Sequence, residues 1–167
     1  MADPRLHRDP RPPLRRRRPK KADGTGGQAE QALGRSRGGF GTKVHGRFNG
    51  LGLPVTLVLS PGQDHDVTHA PELLGDAQPQ VVIADKGYDS RSFVKLLLRR
   101  GAKVVIPSRS NAIEPRELDE EQSKDRNLAE RFWSKAKPYR RVATRYEKTA
   151  RNFLAIVHLA AIMALLQ

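Results

Sequence analysis

Four consecutive apolar residues, Val81-Val82-Ile83-Ala84, three of them β-branched and the run set between Pro79 and Asp85, constrain this chain more than any other feature. A strand wetted on one side alternates apolar with polar. An unbroken apolar run belongs instead to a strand buried on both faces, which requires helices on both sides of a sheet. The fold expected is therefore α/β, with a mixed sheet flanked by helices. Asp85 stands directly at the end of the run, before Lys86-Gly87-Tyr88. Open α/β sheets place ligands at the carboxyl ends of strands, so this carboxylate is a candidate functional group as well as a plain helix-flanking Asp.

The flanking sequence supplies the remaining elements. Thr42 to Phe48 alternates in the manner of a half-buried strand, and the turn signal Asn49-Gly50-Leu51-Gly52 leads to Val55–Ser60, which predicts a hairpin. Pro61–Asp66 reads as a loop and Val67–Leu74 as a short helix closed by Gly75. Asp89 is placed to cap a helix over Ser90–Arg100 with Gly101 as its stop, and Lys103–Ile106 is a short strand ended by Pro107. The stretch from Ser108 to Lys124 is polar and irregular, with an acidic cluster at Glu117, Asp119, Glu120 and Glu121; Asp119 or Glu121 can lie near a cleft. Tyr139–Tyr146 is a basic connector, and Lys148–Leu166 is a last helix, apolar over most of its circumference. Its apolar run is too short to span a membrane and contains His158.

Between these lies the helix Asp125–Lys137, in which Arg126, Glu130 and Lys137 fall within an arc of about 40°. Two cations thus flank one carboxylate on a face separate from Leu128, Ala129, Phe132 and Ala136, which point to a core. That face suits a cleft, and equally a solvated helix with an i,i+4 ion pair. If Asp85 and Glu130 converge, their hard oxygens suit Mg²⁺ or Mn²⁺, with Arg126 and Lys137 available to neutralise phosphate. His65-Asp66 and His69 form an H-D-x-x-H pattern, but a third zinc ligand is not evident in the sequence. His45 and His158 have apolar neighbours and read as packed side chains.

Charge is distributed unevenly. Residues 1–21 hold nine of the 31 Lys and Arg against Asp3 and Asp9, and so +7 of the net +13, together with five of the 12 prolines. Such a segment cannot form a core, so residues 1–38 read as a disordered basic Arg/Pro-rich arm with a Gly-rich linker, and 39–167 as the folded part. The linker ends in Gly34–Gly39, GRSRGG, where Arg35 and Arg37 either grip a phosphate or sit in an ordinary loop. Excess positive charge favours a polyanion, DNA above all, and the arm lacks the aromatic residues and amphipathic period of a membrane binder. With zero cysteines and no secretory signal, a cytoplasmic, nucleoid-associated location is expected.

Several motifs in order carry a resemblance to a known family: GRSRGGFGTKVH (Gly34 to His45), SPGQDHDVTHA (Ser60 to Ala70), IADKGYDS (Ile83 to Ser90), RNLAERF (Arg126 to Phe132) and RRVATRYEKTARNFLAIVHLA (Arg140 to Ala160). They resemble bacterial insertion-sequence transposases of the DDE, or acid-triad, class, in the insertion sequence four/five group, over roughly Gln31 to Leu166. The resemblance implies a ribonuclease-H-like fold, two divalent ions, and cleavage and strand transfer at insertion-element ends. It assigns Asp85 as the second acid and Glu130 as the third, with Arg126 and Lys137 in the signature around the latter; Ser123 stands where that signature has Tyr. Arg35, Arg37, Arg140 and Arg141 become DNA contacts.

The first acid of the family lies on a strand upstream of GRSRGG, and no such strand is found here. Asp3 and Asp9 lie among prolines that a central strand rejects. The Arg- and Pro-rich composition of residues 1–21 matches an out-of-register reading of GC-rich coding sequence. The expectation is thus a partial catalytic domain lacking its first strand, truncated or frameshifted and inactive alone. Its partners are DNA and either a homo-oligomer or the upstream reading-frame product. The alternatives are a non-catalytic basic DNA-binding protein, acting through the arm with Arg140, Arg141 and Arg145, and a hydrolytic nuclease of the same fold.

Overall fold

Alternation along Thr42–Phe48 places successive side chains on opposite faces of a strand, and the computed structural model, which describes residues 27–28, 30–110, 112 and 115–166, holds that segment within an antiparallel sheet. Its strands are β1 (Gly34–Ser36), β2 (Gly39–Phe48) and β3 (Pro54–Pro61), in that spatial order. Asn49 sets the β2–β3 turn: its Oδ1 accepts from the amides of Leu51 and Leu53, each at 3.0 Å, and Gly52 takes φ 77°. The predicted arm lies outside the described residues over 1–26. Part of the presumed linker is structured, since Gly34–Ser36 forms β1 and Ala32 is buried.

The chain continues through α1 (Ala70–Leu74), β4 (Val81–Ile83), α2 (Arg91–Arg99) and β5 (Lys103–Val105). It then forms α3 (Glu120–Ser123), α4 (Asn127–Ala136), α5 (Arg140–Ala143) and α6 (Ala150–Leu165). Strands β4 and β5 pair in parallel and, among the described residues, with each other alone. The single mixed sheet expected from the sequence is therefore two sheets, and among the described residues no strand joins them. For that reason the run at Val81 is not buried on both faces: Val81 is 39% exposed and Val82 and Ile83 are half-buried.

Two cores follow from this division. Val44 and Phe48, on one face of β2, pack with Leu57 against Phe132 of α4 and Phe153 and Val157 of α6. Phe48, Phe132 and Trp133 meet at ring separations of 5.0 to 6.0 Å, within the range of favourable tilted and edge contacts. The second core joins α1, α2 and β5 through Ala70, Leu74, Phe93, Leu97 and Ile106. Helix α2 exposes its polar side because Phe93, Val94 and Leu97 share one face, and Gly101, at φ 74°, lets the chain leave the helix in the left-handed region.

Several sequence expectations are corrected. Ser90, not Asp89, caps α2, its Oγ accepting from the amide of Phe93 at 3.2 Å. Asp89 instead accepts from Arg116 Nη2 at 2.6 Å and the Arg109 amide at 2.8 Å, tying the chain after β5 to the start of α2. Although burial would raise its pKa, those donors hold the carboxyl below the usual range. Asp119 caps α3 through the Gln122 amide and pairs with Lys103 Nζ at 2.7 Å; those donors lower its pKa. The presumed connector Tyr139–Tyr146 contains α5. His158 is exposed on α6 and bonds the Leu154 carbonyl at 2.9 Å, not packed in a core. Arg145 is a structural cation: its Nη1 donates to the Gln31 carbonyl and Thr42 Oγ1 at 2.7 and 2.6 Å, and the guanidinium stands 5.2 Å from the Phe153 ring centre.

Leu97 is fully buried whereas Leu159 of α6 is 58% exposed. Leu97→Ala should therefore cost about 2 to 5 kcal/mol in urea unfolding, and Leu159→Ala within about 0.5 kcal/mol. Equal costs would contradict this assignment of the core.

Candidate functional site

A cleft of about 1380 Å³ opens between β2 and β4. Residues Lys43 to Phe48 line it from β2, and Val81 to Lys86 from β4 and the turn beyond. Ala70, Leu73 and Leu74 line it from α1, with Arg126, Leu128, Ala129, Glu130 and Trp133 from the start of α4. Asp85 and Glu130, remote in sequence, thus face one cavity together with Arg126. Gly46 permits the close packing of this wall, since a Cβ there would lie 3.2 Å from the Trp133 ring.

The end of β4 aims Asp85. Its Oδ1 accepts from the Gly87 amide at 2.8 Å and so caps the single 3-10 turn Lys86–Tyr88. A Cβ on Gly87 would come within 2.9 Å of Asp85 Oδ1 and 3.1 Å of Asp66 Oδ2, so a side chain here would push both carboxylates away from this turn. Asp66 also lines the cleft, although no catalytic place is expected for it from the sequence. It is held by Lys43 Nζ at 2.8 Å, which donates as well to the Asp64 carbonyl at 2.7 Å. The motif SPGQDHDVTHA contains Asp66, yet its loop character hid the approach to Asp85.

Glu130 projects from the first turn of α4, and Arg126 Nε lies 3.4 Å from its Oε1. The i,i+4 ion pair of this helix face forms, and Arg126 and Glu130 both line the cleft. With the Glu130 side chain 65% exposed, the pair is worth a few tenths of a kcal/mol (about 0.3) and yields readily to another cation. Lys137 lies at the exposed C-terminal cap of α4, outside the cleft lining. Arg35 on β1, Arg37 in the following turn, and Arg140 and Arg141 on α5 are likewise exposed and outside it. Arg141 Nη1 approaches Glu147 Oε1 at 3.5 Å.

Behind Asp85, a polar network joins the two sheets. His45 of β2 is buried, with Nε2 at 2.8 Å from Ser60 Oγ of β3 and Nδ1 at 3.1 Å from the Tyr88 hydroxyl. From its apolar neighbours in sequence, His45 is expected only to pack. Burial lowers its pKa below 6.5, and the same effect, reinforced by the charges of Asp66 and Asp85, raises that of Tyr88. Both are neutral at pH 7. The His45 ring also stacks on His69 at 5.2 Å, and His69 Nε2 contacts Asp64 Oδ2 at 3.2 Å. The zinc-like pattern is used in this way, within a hydrogen-bonded loop. Among the described residues no group of three or more His, Cys, Asp or Glu is placed to hold a metal ion, and no helix is long and apolar enough to cross a membrane.

Comparison with known proteins finds relatives of the chain. The family described as Transposase DDE domain matches residues 15–166. A relative from Brucella ovis, a putative transposase for insertion sequence element IS6501, is 36% identical over 127 residues, which cover 73% of this chain and 95% of the relative. No solved structure matches.

Because the folded-state pKa of His45 lies below its ordinary 6.5, the unfolded chain takes up the proton first as pH falls. The network's contribution is then complete above about pH 6.5 and declines below it. The stability difference between the wild type and His45→Gln should therefore narrow between about pH 7.5 and 5, as read by urea unfolding. A constant difference would contradict a buried neutral histidine.

Proposed function

The chain belongs to the Transposase DDE domain family and so to proteins of DNA transposition, and from that premise we propose that it supplies Asp85 and Glu130 as two acids of a phosphodiester-transfer site acting at insertion-element ends. The observation that carries this reading is their presence in one cleft, at the end of β4 and the first turn of α4, with Arg126 beside them. The frame is read as ribonuclease-H-like and short of the strand that bears the first acid. In support, β2 and β4 flank the cleft with no strand between them among the described residues.

Mg²⁺ or Mn²⁺ is the cofactor that this carboxylate chemistry suits. When bound, such an ion would supply activation of a water or hydroxyl and stabilisation of the leaving oxygen. The donor set does not fit a complete site, however, because no group of three candidate ligands is gathered among the described residues. No step is therefore assigned to a metal on this chain alone. What its own residues do is orient the Asp85 carboxylate through the Gly87 amide and hold Glu130 beside Arg126. Arg126, Lys137, Arg35, Arg37, Arg140 and Arg141 serve as phosphate contacts, within a net charge of +13 that makes binding strongly salt-dependent. The same incomplete donor set favours, as a second reading, a DNA-binding protein without chemistry.

Paramagnetic broadening by Mn²⁺ separates the two readings. Amide signals of Lys86, Gly87 and Arg131 should broaden together at one Mn²⁺ concentration, and Asp85→Asn should abolish the effect at Arg131 too. Independent broadening at the two places would sink the shared site. DNA affinity should stay unchanged or rise slightly in Asp85→Ala. Robust strand cleavage by this chain alone with Mn²⁺ would show that its donor set is complete.

A further inference from the structure

We propose that the tip of the β1–β2 hairpin is a binding site for unpaired DNA, in which Phe40 stacks on one base and Arg35 and Arg37 hold the neighbouring phosphates. This site rests on the DNA reading given above and adds the form of DNA that is selected.

The root of the hairpin is fixed and its tip is bare. At the root, Thr42 Oγ1 donates to the Ala32 carbonyl at 2.6 Å and accepts from Arg145 Nη1 at 2.6 Å, while the Gly62 amide donates to the Gly41 carbonyl at 3.1 Å. Beyond it, Arg35 stands directly opposite Phe40 and Ser36 opposite Gly39, and the Ser36 hydroxyl donates to the Gly39 carbonyl at 3.1 Å. A Cβ added at Gly39 or Gly41 would meet nothing within 4 Å, so nothing packs over either neighbour of Phe40. Phe40 itself is 57% exposed, and its ring makes no aromatic or cation–π contact among the described residues.

The composition of the tip fits a nucleic-acid strand. Cross-strand partners share a face with Cβ atoms about 4.5 to 5.5 Å apart, so the Arg35 guanidinium is within reach of a phosphate beside a base on the ring. Arg37 follows in the turn, and neither arginine forms an ion pair among the described residues. Gly38, Gly39 and Gly41 carry no side chain to hold a strand away from the backbone. An aromatic face between two free cations is the combination that binds successive units of a single strand.

The ring decides which DNA. Paired bases show their edges in the grooves, and a phenyl group has no donor or acceptor with which to read them. Stacking one base on an aromatic side chain tightens binding roughly fivefold to a hundredfold, whereas opening a paired step costs as much or more. The tip therefore selects a base that is already unpaired. Lys43, where β2 enters the cleft lining, is three residues further on, on the order of 10 Å along the strand, which puts the ring near the rim of the cleft that holds Asp85 and Glu130.

Fluorescence anisotropy of the full chain with three DNAs tests the site: a duplex with a three-nucleotide overhang, the same duplex with an abasic overhang, and a blunt duplex. The two overhangs carry equal charge, so their affinity ratio cancels what the other basic residues contribute. The base-bearing overhang should bind roughly fivefold or more tighter than the abasic one. Phe40→Ala should abolish that preference without changing the salt dependence, and Phe40→Tyr should keep it. Arg35→Ala and Arg37→Ala should each lower the salt slope by about 0.7. Equal binding of the two overhangs by the wild type overturns the proposal, as does tighter binding of the blunt duplex. Full preference in Phe40→Leu overturns it too, because an apolar contact then suffices without stacking. Loss of affinity in the arginine variants with the preference intact in Phe40→Ala overturns the stacking and leaves the DNA reading standing; no binding to any of the DNAs overturns both.

Discussion

The hydrogen bonds of one buried imidazole hold the site in register. With no strand common to the two sheets among the described residues, the turn carrying Asp85 meets the antiparallel sheet through side chains. His45 is central among them, spanning from Ser60 at 2.8 Å to Tyr88 at 3.1 Å. Lys43, held by Asp66 and the Asp64 carbonyl, reinforces the same junction. Neutral His45 suits this role, because a protonated ring there would lose an acceptor and sit charged in a buried place.

Glu130 is anchored by a different device. Its helix is fixed through Phe132 and Ala136 in the core beneath β2 and β3, so the opposite face stands at the cleft whatever its charges do. Packing places the carboxylate and the weak Arg126 pair merely tunes it. Asp85 is placed by hydrogen bonding and Glu130 by apolar contact, and β2 contributes to both, with His45 on one face and Val44 and Phe48 on the other.

Much of this was legible in the sequence. Period-2 alternation marked β2, the Asn-Gly turn marked the hairpin, and the helical spacing of Phe132 and Ala136 marked the buried face of α4. The run at Val81 gave a strand with Asp85 at its end, yet its burial was misjudged because burial of a strand depends on neighbours that local sequence does not name. The cap at Ser90 was displaced by one residue to Asp89, since adjacent Asp and Ser are both good caps and only the tertiary partner Arg116 decides between them. Asp66, His45 and Arg145 took on roles through contacts distant in sequence, with no local pattern to announce them.

The shared cleft of Asp85 and Glu130 is the central claim, and the absence of cysteine from the chain allows a direct measurement of it. In the double variant Asp85→Cys, Glu130→Cys, two thiolates across one cleft chelate a soft ion. Cd²⁺ should bind it with one ion per chain and roughly tenfold or more tighter than either single variant. Affinity in the double variant no greater than in the singles would show that the two positions do not meet.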